Sequence, residues 1–382
     1  MRKHIKTAPY LIAVLFISCS VQKNLQTAIY PWQSEKVVEW EKQPDPKTGH
    51  PVWQITTHDS ASEAFYFERQ AFTEDDRYLV FYSDRSGSRQ LHRADLTNGE
   101  LIQLTNFERI GSPDMHPDGR RCLFQAGQSL LSVDVPTGRI DTVMLGEGRF
   151  PSSPRWAGSY SADGNITVVV CRSEDSTRFF QVNLATEAIK NILTWAGRIS
   201  HPQVCPTEPD LVTFVPSPDT QNDMTLPMEK RARTWIVDAR TGQARQFLTC
   251  PYGFRATHES WTADGKRFFF YKKTVPGWLP VTICSINQEG NDWQEHYTHE
   301  TIRLGHGIAS RDQNWFISDS QDPDTNPLIL LNLRTGEDKI LCWTDASTTH
   351  QHVHPFLSRS GRFVGFTSDR TGTSQVYVVP VP

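Results

Sequence analysis

Phe81-Tyr82-Ser83-Asp84-Arg85-Ser86-Gly87-Ser88-Arg89-Gln90-Leu91 returns near the C-terminus as Phe366-Thr367-Ser368-Asp369-Arg370-Thr371-Gly372-Thr373-Ser374-Gln375-Val376. Each copy reads as the end of an apolar strand, a polar turn with one glycine, and the start of the next strand. Between the copies, Asp118-Gly119, Asp163-Gly164, Asp264-Gly265 and Ser360-Gly361 lead into alternating apolar runs. A second hairpin signal follows in most units, at Asn98-Gly99, Thr137-Gly138, Thr241-Gly242 and Thr335-Gly336. Such pairs supply the positive φ that tight turns between antiparallel strands demand, so each unit is predicted to be a four-stranded meander. Unit starts fall at Arg69, Ser112, Ala157, His201, His258, His306 and His354, on average about 48 residues apart, which is the period of a propeller blade. The expected fold is all-β, a seven-bladed β-propeller. The last unit ends after three strands at Val379, so Val52-Trp53-Gln54-Ile55-Thr56 is expected to add the fourth and close the ring, leaving no open edge. Residues 51–382 are read as one domain.

The rest of the chain reads as export machinery. Arg2, Lys3 and Lys6 precede an apolar run from Tyr10 to Ile17 and then Ser18-Cys19. This predicts a lipoprotein-type signal over residues 1–19 with Cys19 acylated, although Phe16 replaces the usual leucine. An ordinary cleaved signal with an incidental cysteine is the alternative. The run is too short to span a bilayer. Residues 20–50 are read as a tether. The protein is therefore expected in the periplasm or at the cell surface, lipid-anchored to the outer membrane and meeting membrane only through that anchor. Six cysteines remain, scattered through apolar strand-like runs and without CxxC spacing, so isolated buried thiols are expected. Lys and Arg number 39 against 43 Asp and Glu, a net charge of -4, so no basic field points to nucleic acid. An anionic ligand must be met by locally placed arginines. The chain is expected to act as a monomer.

Four of the seven unit starts are histidine, His201, His258, His306 and His354, in a chain with 13 histidines among 382 residues. Chance would place a fraction of one there. In a propeller the first strand of each blade lines the channel, so one register brings these side chains to a common axis. His352 and His354 share a face because strand side chains alternate. With His306 from the neighbouring blade they make a set of three imidazoles suited to a divalent transition metal with open positions. The plainer alternative is histidines that merely hydrogen-bond backbone or water.

The chain resembles the oligogalacturonate lyases. The resemblance is carried by His201-Pro202-Gln203 with Pro209-Asp210-Leu211, Arg233-Thr234-Trp235, Thr257-His258-Glu259-Ser260-Trp261, His306, and His352-Val353-His354-Pro355-Phe356 leading to Phe366-Thr367-Ser368-Asp369. Phe65-Tyr66-Phe67 before Phe72-Thr73 is also similar. The resemblance implies a manganese-dependent lyase acting on short acidic (uronate) oligosaccharides. It implies that His306, His352 and His354 bind the metal, that His258 is the base and that Arg233 binds substrate. Where the family has a metal-binding glutamine three residues before its His-x-His pair, this chain has Thr349. Gln351, at another spacing, is the candidate fourth ligand. The family's histidine-bearing stretch before Arg-x-Trp is replaced by Val215-Pro216-Ser217-Pro218-Asp219, and familiar members often work inside the cell, so a uronic acid other than galacturonate is a second reading.

The chemistry suits these groups. β-Elimination removes the weakly acidic C5 proton of a uronide and expels the sugar at C4, giving an unsaturated uronide. A metal on the C6 carboxylate acts as a Lewis acid, a neutral histidine accepts the proton, and Arg233 positions a carboxylate. His201 and the arginines near blade starts, Arg69, Arg155 and Arg255, are candidate substrate contacts; for the arginines, surface or inter-blade salt bridges are the alternative. A non-catalytic sugar- or protein-binding propeller is the competing class, and it leaves the channel histidines unexplained.

Overall fold

Four hairpins end on the same device. The backbone carbonyls of Asp95, Asp134, Asp238 and Asn332 accept the N–H of Gly99, Gly138, Gly242 and Gly336 at 2.7–2.9 Å. Each Asx side chain accepts a further backbone N–H two or three positions on. The glycines take φ of 72–78°, which no β-branched residue adopts cheaply. At Gly99 space matters as well, since a Cβ would stand 2.7 Å from the Cβ of Trp40.

The computed structural model describes residues 36–322, 326–347 and 352–382. Its described strands form seven antiparallel sheets, the blades of a propeller. The channel-lining strands, in blade order, are Ser62–Glu63, Ile110–Met115, Pro154–Tyr160, Arg198–Val204, Phe254–Trp261, Leu304–Ala309 and Phe356–Leu357. Apolar residues on the alternate faces of the strands pack between neighbouring blades. Phe65, Phe81, Phe124, Phe356 and Val376, none more than 1% exposed, form one cluster across blades 1, 2 and 7, and Phe179 of blade 3 meets Phe214 of blade 4 at 5.0 Å between ring centres. Each such phenylalanine contributes roughly 1.5–3 kcal/mol of burial free energy. All six described cysteines are buried and free.

In the seventh sheet Pro51–Gln54 lies beside Gln375–Pro380, with Trp53 opposite Val378. Sheet structure begins ahead of residue 51, where the repeat alone placed the domain start. Glu41–Pro44 adds a further strand outside Pro51–Gln54, and Val37–Val38 pairs with Glu100–Gln103 of blade 1. The segment read as tether therefore straddles the seam between blades 7 and 1, held by Trp40 against Trp53 at 5.2 Å and by Arg85 on Glu39 at 2.8 Å. The expected signal and Cys19 lie outside the described residues.

One irregularity recurs on the channel strands and positions the site. Pairing slips between Gly111 and Asp114, Trp156 and Tyr160, Ser200 and Gln203, Thr257 and Ser260, and Leu304 and Gly307. Within these bulges, Ser112, Gly158, His201 and His258 take φ of 49°, 64°, 48° and 55°, and His354 in blade 7 takes 47°. In blade 3 the equivalent position is thus Gly158, one beyond the Ala157 expected. A bulge re-aims one side chain out of the pleat, and histidine is among the few non-glycine residues enriched in this backbone region.

Candidate metal centre

His306, His352 and His354 converge as the register predicted. One ring nitrogen from each lies within 4.8 Å of the others, and the rings sit 4.3 to 5.5 Å apart. His306 is buried, His354 half-buried and His352 exposed, so the set opens outward on one side. Burial, then the neighbouring His306 and His352, hold the His354 imidazole down at about 2. It is therefore neutral, as a metal ligand must be.

Asp319 completes the centre and was not foreseen. Its Oδ2 stands 3.0 Å from Nδ1 of His306, and its Oδ1 accepts the His306 backbone N–H at 2.6 Å. A carboxylate on Nδ1 fixes the tautomer that presents Nε2 to a metal. The available signal was an acid inside the apolar strand Trp315–Ser320, since a carboxylate buried there needs a partner. These donors, three imidazoles with one oriented by a buried carboxylate, fit a divalent transition metal. Gln351, the candidate fourth ligand, lies outside the described residues.

Around the trio, the Tyr66 ring packs edge-to-face on His354 with ring centres 4.6 Å apart and stands 5.9 Å from His201, while Phe67 lies 5.6 Å from His306. His258 packs 4.2 Å from His306, closer to the trio than its place in the next blade suggested. Burial, reinforced by His306, Lys273 and Arg233, holds it well below the usual histidine range. Arg233 donates from Nε to Glu259 at 2.8 Å and from Nη1 to Asp219 at 3.0 Å. Burial opposes ionisation of Glu259, but Arg233 overcomes it and holds the carboxyl below its ordinary range. Two of the Arg233 nitrogens thus serve protein carboxylates, which aim the guanidinium.

Arg69, Arg155 and His201 line one cavity of about 420 Å³, together with Tyr66 and Arg172. Arg69 is tied to the Ala157 carbonyl, Glu68 and Asp114. Among the described residues, Arg155 is exposed with no ion-pair partner, and Arg172 donates to the Ile199 carbonyl, at 3.0 Å, with no ion-pair partner either. Glu68, which also lines the cavity, is paired with Arg69. Arg172 ends the apolar strand Ile166–Arg172 in a register that the repeat start did not sample. Arg255 lies three positions before His258 and lines neither this cavity nor the one beside His352.

The fold and site define a seven-bladed propeller with a three-histidine centre at its axis and an arginine-lined cavity beside it. No protein-family profile matches the chain. Over 387 aligned residues it is 22% identical to an oligogalacturonide lyase from Pectobacterium atrosepticum, covering 88% of this chain and 95% of that one. An oligogalacturonate lyase from Dickeya dadantii is 21% identical with the same coverage. A solved oligogalacturonate lyase in complex with manganese superposes with a TM-score of 0.78 at 21% identity, over 91% of this chain and 98% of that one. The resemblance carried by the motifs therefore extends over nearly the whole chain.

Proposed function

We propose that this protein is a lyase that cleaves short uronic-acid oligosaccharides by β-elimination. The observation that carries the reading is the juxtaposition of the histidine trio with the cavity holding Arg155 and Arg172. The names of the relatives point to oligogalacturonides as the substrate, and the manganese in the solved relative points to the metal.

A divalent ion held by His306, His352 and His354 would supply Lewis-acid withdrawal of charge from a uronate carboxylate. Arg155 and Arg172 bind flanking carboxylates, and the charge of each makes the contact stronger than a neutral hydrogen bond. Arg233, aimed by Glu259 and Asp219, orients the sugar through its remaining N–H groups. His258, neutral and beside the trio, accepts the C5 proton. The C5–H electron pair becomes the C4–C5 double bond as the C4–O4 bond breaks, and the departing oxygen takes a proton from solvent. Tyr66 and Phe67 wall the site and limit water.

Export and acylation at Cys19 are part of the proposal and rest on residues 1–19; mass analysis of the mature N-terminus tests them, and an unmodified chain starting elsewhere refutes them. For the lyase, the test is mass spectrometry of products from a panel of uronate oligomers. β-Elimination gives a fragment lighter by one water than the hydrolysis product. Hydrolysis products, or binding with no cleavage of any oligomer, would overturn the reading.

A further inference from the structure

Blades 1 to 4 build the arginine-lined cavity. A second cavity, of about 500 Å³, is built from blades 5 to 7 and lined by Trp278, Arg303, Gln321, Asp319 and His352. The trio comes from blades 6 and 7, and its exposed member His352 opens directly into this second space. The metal centre therefore lies between two cavities, one reached through Tyr66 and the other through His352.

Trp278 is an unusual wall. It is 40% exposed, although tryptophan carries more apolar surface than any other side chain. Its backbone sits at φ 70°, where a bulky aromatic residue is an outlier and persists only if its surroundings enforce it. Here the Trp278 N–H is held by the Thr274 carbonyl at 2.8 Å. The Lys273 ammonium stands 4.6 Å from the ring centre. Lys273 is itself 1% exposed and donates to Gln321 Oε1 at 3.1 Å. The cation stands over the ring, and the exposed Trp278 side chain lines the cavity. Arg303, 45% exposed and 3.6 Å from Asp322, lies at the same cavity.

A pyranose presents C–H groups on its broad face and polar groups on its edge. The exposed indole suits the first, and Arg303 suits a carboxylate on the second. We infer that the Trp278–Arg303 cavity is a second uronate subsite, which holds the sugar on the opposite side of the scissile bond from the one bound by Arg155 and Arg172. This rests on the lyase reading and adds what that reading lacked, a place for the other half of the substrate.

The test is calorimetric binding of digalacturonate to manganese-loaded protein in a His258→Gln background, which removes the proton acceptor so that binding is read without turnover. Trp278→Ala should weaken binding by roughly tenfold, whereas Trp278→Phe, which keeps a stacking face, should stay within about threefold of the parent. Arg303→Ala should weaken binding of digalacturonate but not of its methyl ester. Parent-like affinity in folded Trp278→Ala, checked by thermal melting, overturns the subsite alone. Failure of the wild-type chain to bind or cleave any uronate oligomer overturns the lyase reading and the subsite together.

Discussion

Asp319 holds His306 at two points, its Nδ1 at 3.0 Å and its backbone N–H at 2.6 Å, so one carboxylate sets both the ring and the strand that carries it. Without that contact the His306 ring is free to turn its lone pair away from His352 and His354. Asp319→Asn, which can still accept a hydrogen bond but has lost the charge, should weaken metal affinity by about 10- to 100-fold, and Asp319→Ala at least as much. Competition with a chromogenic chelator reads this directly. Wild-type affinity in both variants would mean that Asp319 does not orient the ligand.

The left-handed bulge residues give a backbone prediction. At His201, with φ 48°, glycine should be accepted with little loss of stability, whereas a β-branched residue meets its own carbonyl. His201→Val should be less stable than His201→Gly by about 1–2 kcal/mol in urea unfolding. Equal stability of the two would show that the bulge relaxes without strain.

Arg155 and Arg172 line their cavity without ion-pair partners among the described residues, so their removal should act on binding. Arg155→Ala and Arg172→Ala should raise KM several-fold on uronate oligomers, with kcat nearly retained. The defect should shrink at high salt, which screens the contact in the wild type as well. A fall in kcat at unchanged KM would assign them a different role.

His92 supplies a pH-dependent term. It is 2% exposed, stacks 5.9 Å from Phe81, and has no partner for Nε2 among the described residues. Burial, with Arg85 adding repulsion, lowers it from 6.5 to about 4. Its folded value lies below its unfolded one, so the unfolded chain binds the extra proton first. The stability it confers is present above pH 6.5 and is lost as pH falls towards 4, by up to roughly 3 kcal/mol. His92→Leu should flatten the acid limb of the stability curve over that window. An unchanged slope would show that another group sets it.

The blade count and the channel histidines were legible in the sequence because both follow from periodicity: turns recur at blade spacing, and His201, His258, His306 and His354 share a register. Asp319 and Arg172 were missed because they lie on the second strands, at the channel end, where the unit-start register does not look. Glu259 and Asp219 were quoted only as neighbours of other motifs, since nothing local reveals that Phe254–Trp261 and the segment after Ser217 deliver both acids to Arg233. The seam strands Val37–Val38 and Glu41–Pro44 were read as tether because two and four residues are too few to show alternation.

Metal-assisted β-elimination at the histidine trio can be observed as it happens. The most direct measurement is the ultraviolet absorbance of unsaturated uronide formed from trigalacturonate by the purified protein, before chelation, after chelation and after restoring manganese, with His354→Ala alongside. Absorbance should grow with time, disappear on chelation, return with manganese, and stay absent in a folded His354→Ala protein. Undiminished product formation by the chelated protein or by His354→Ala would contradict metal-assisted elimination at the trio.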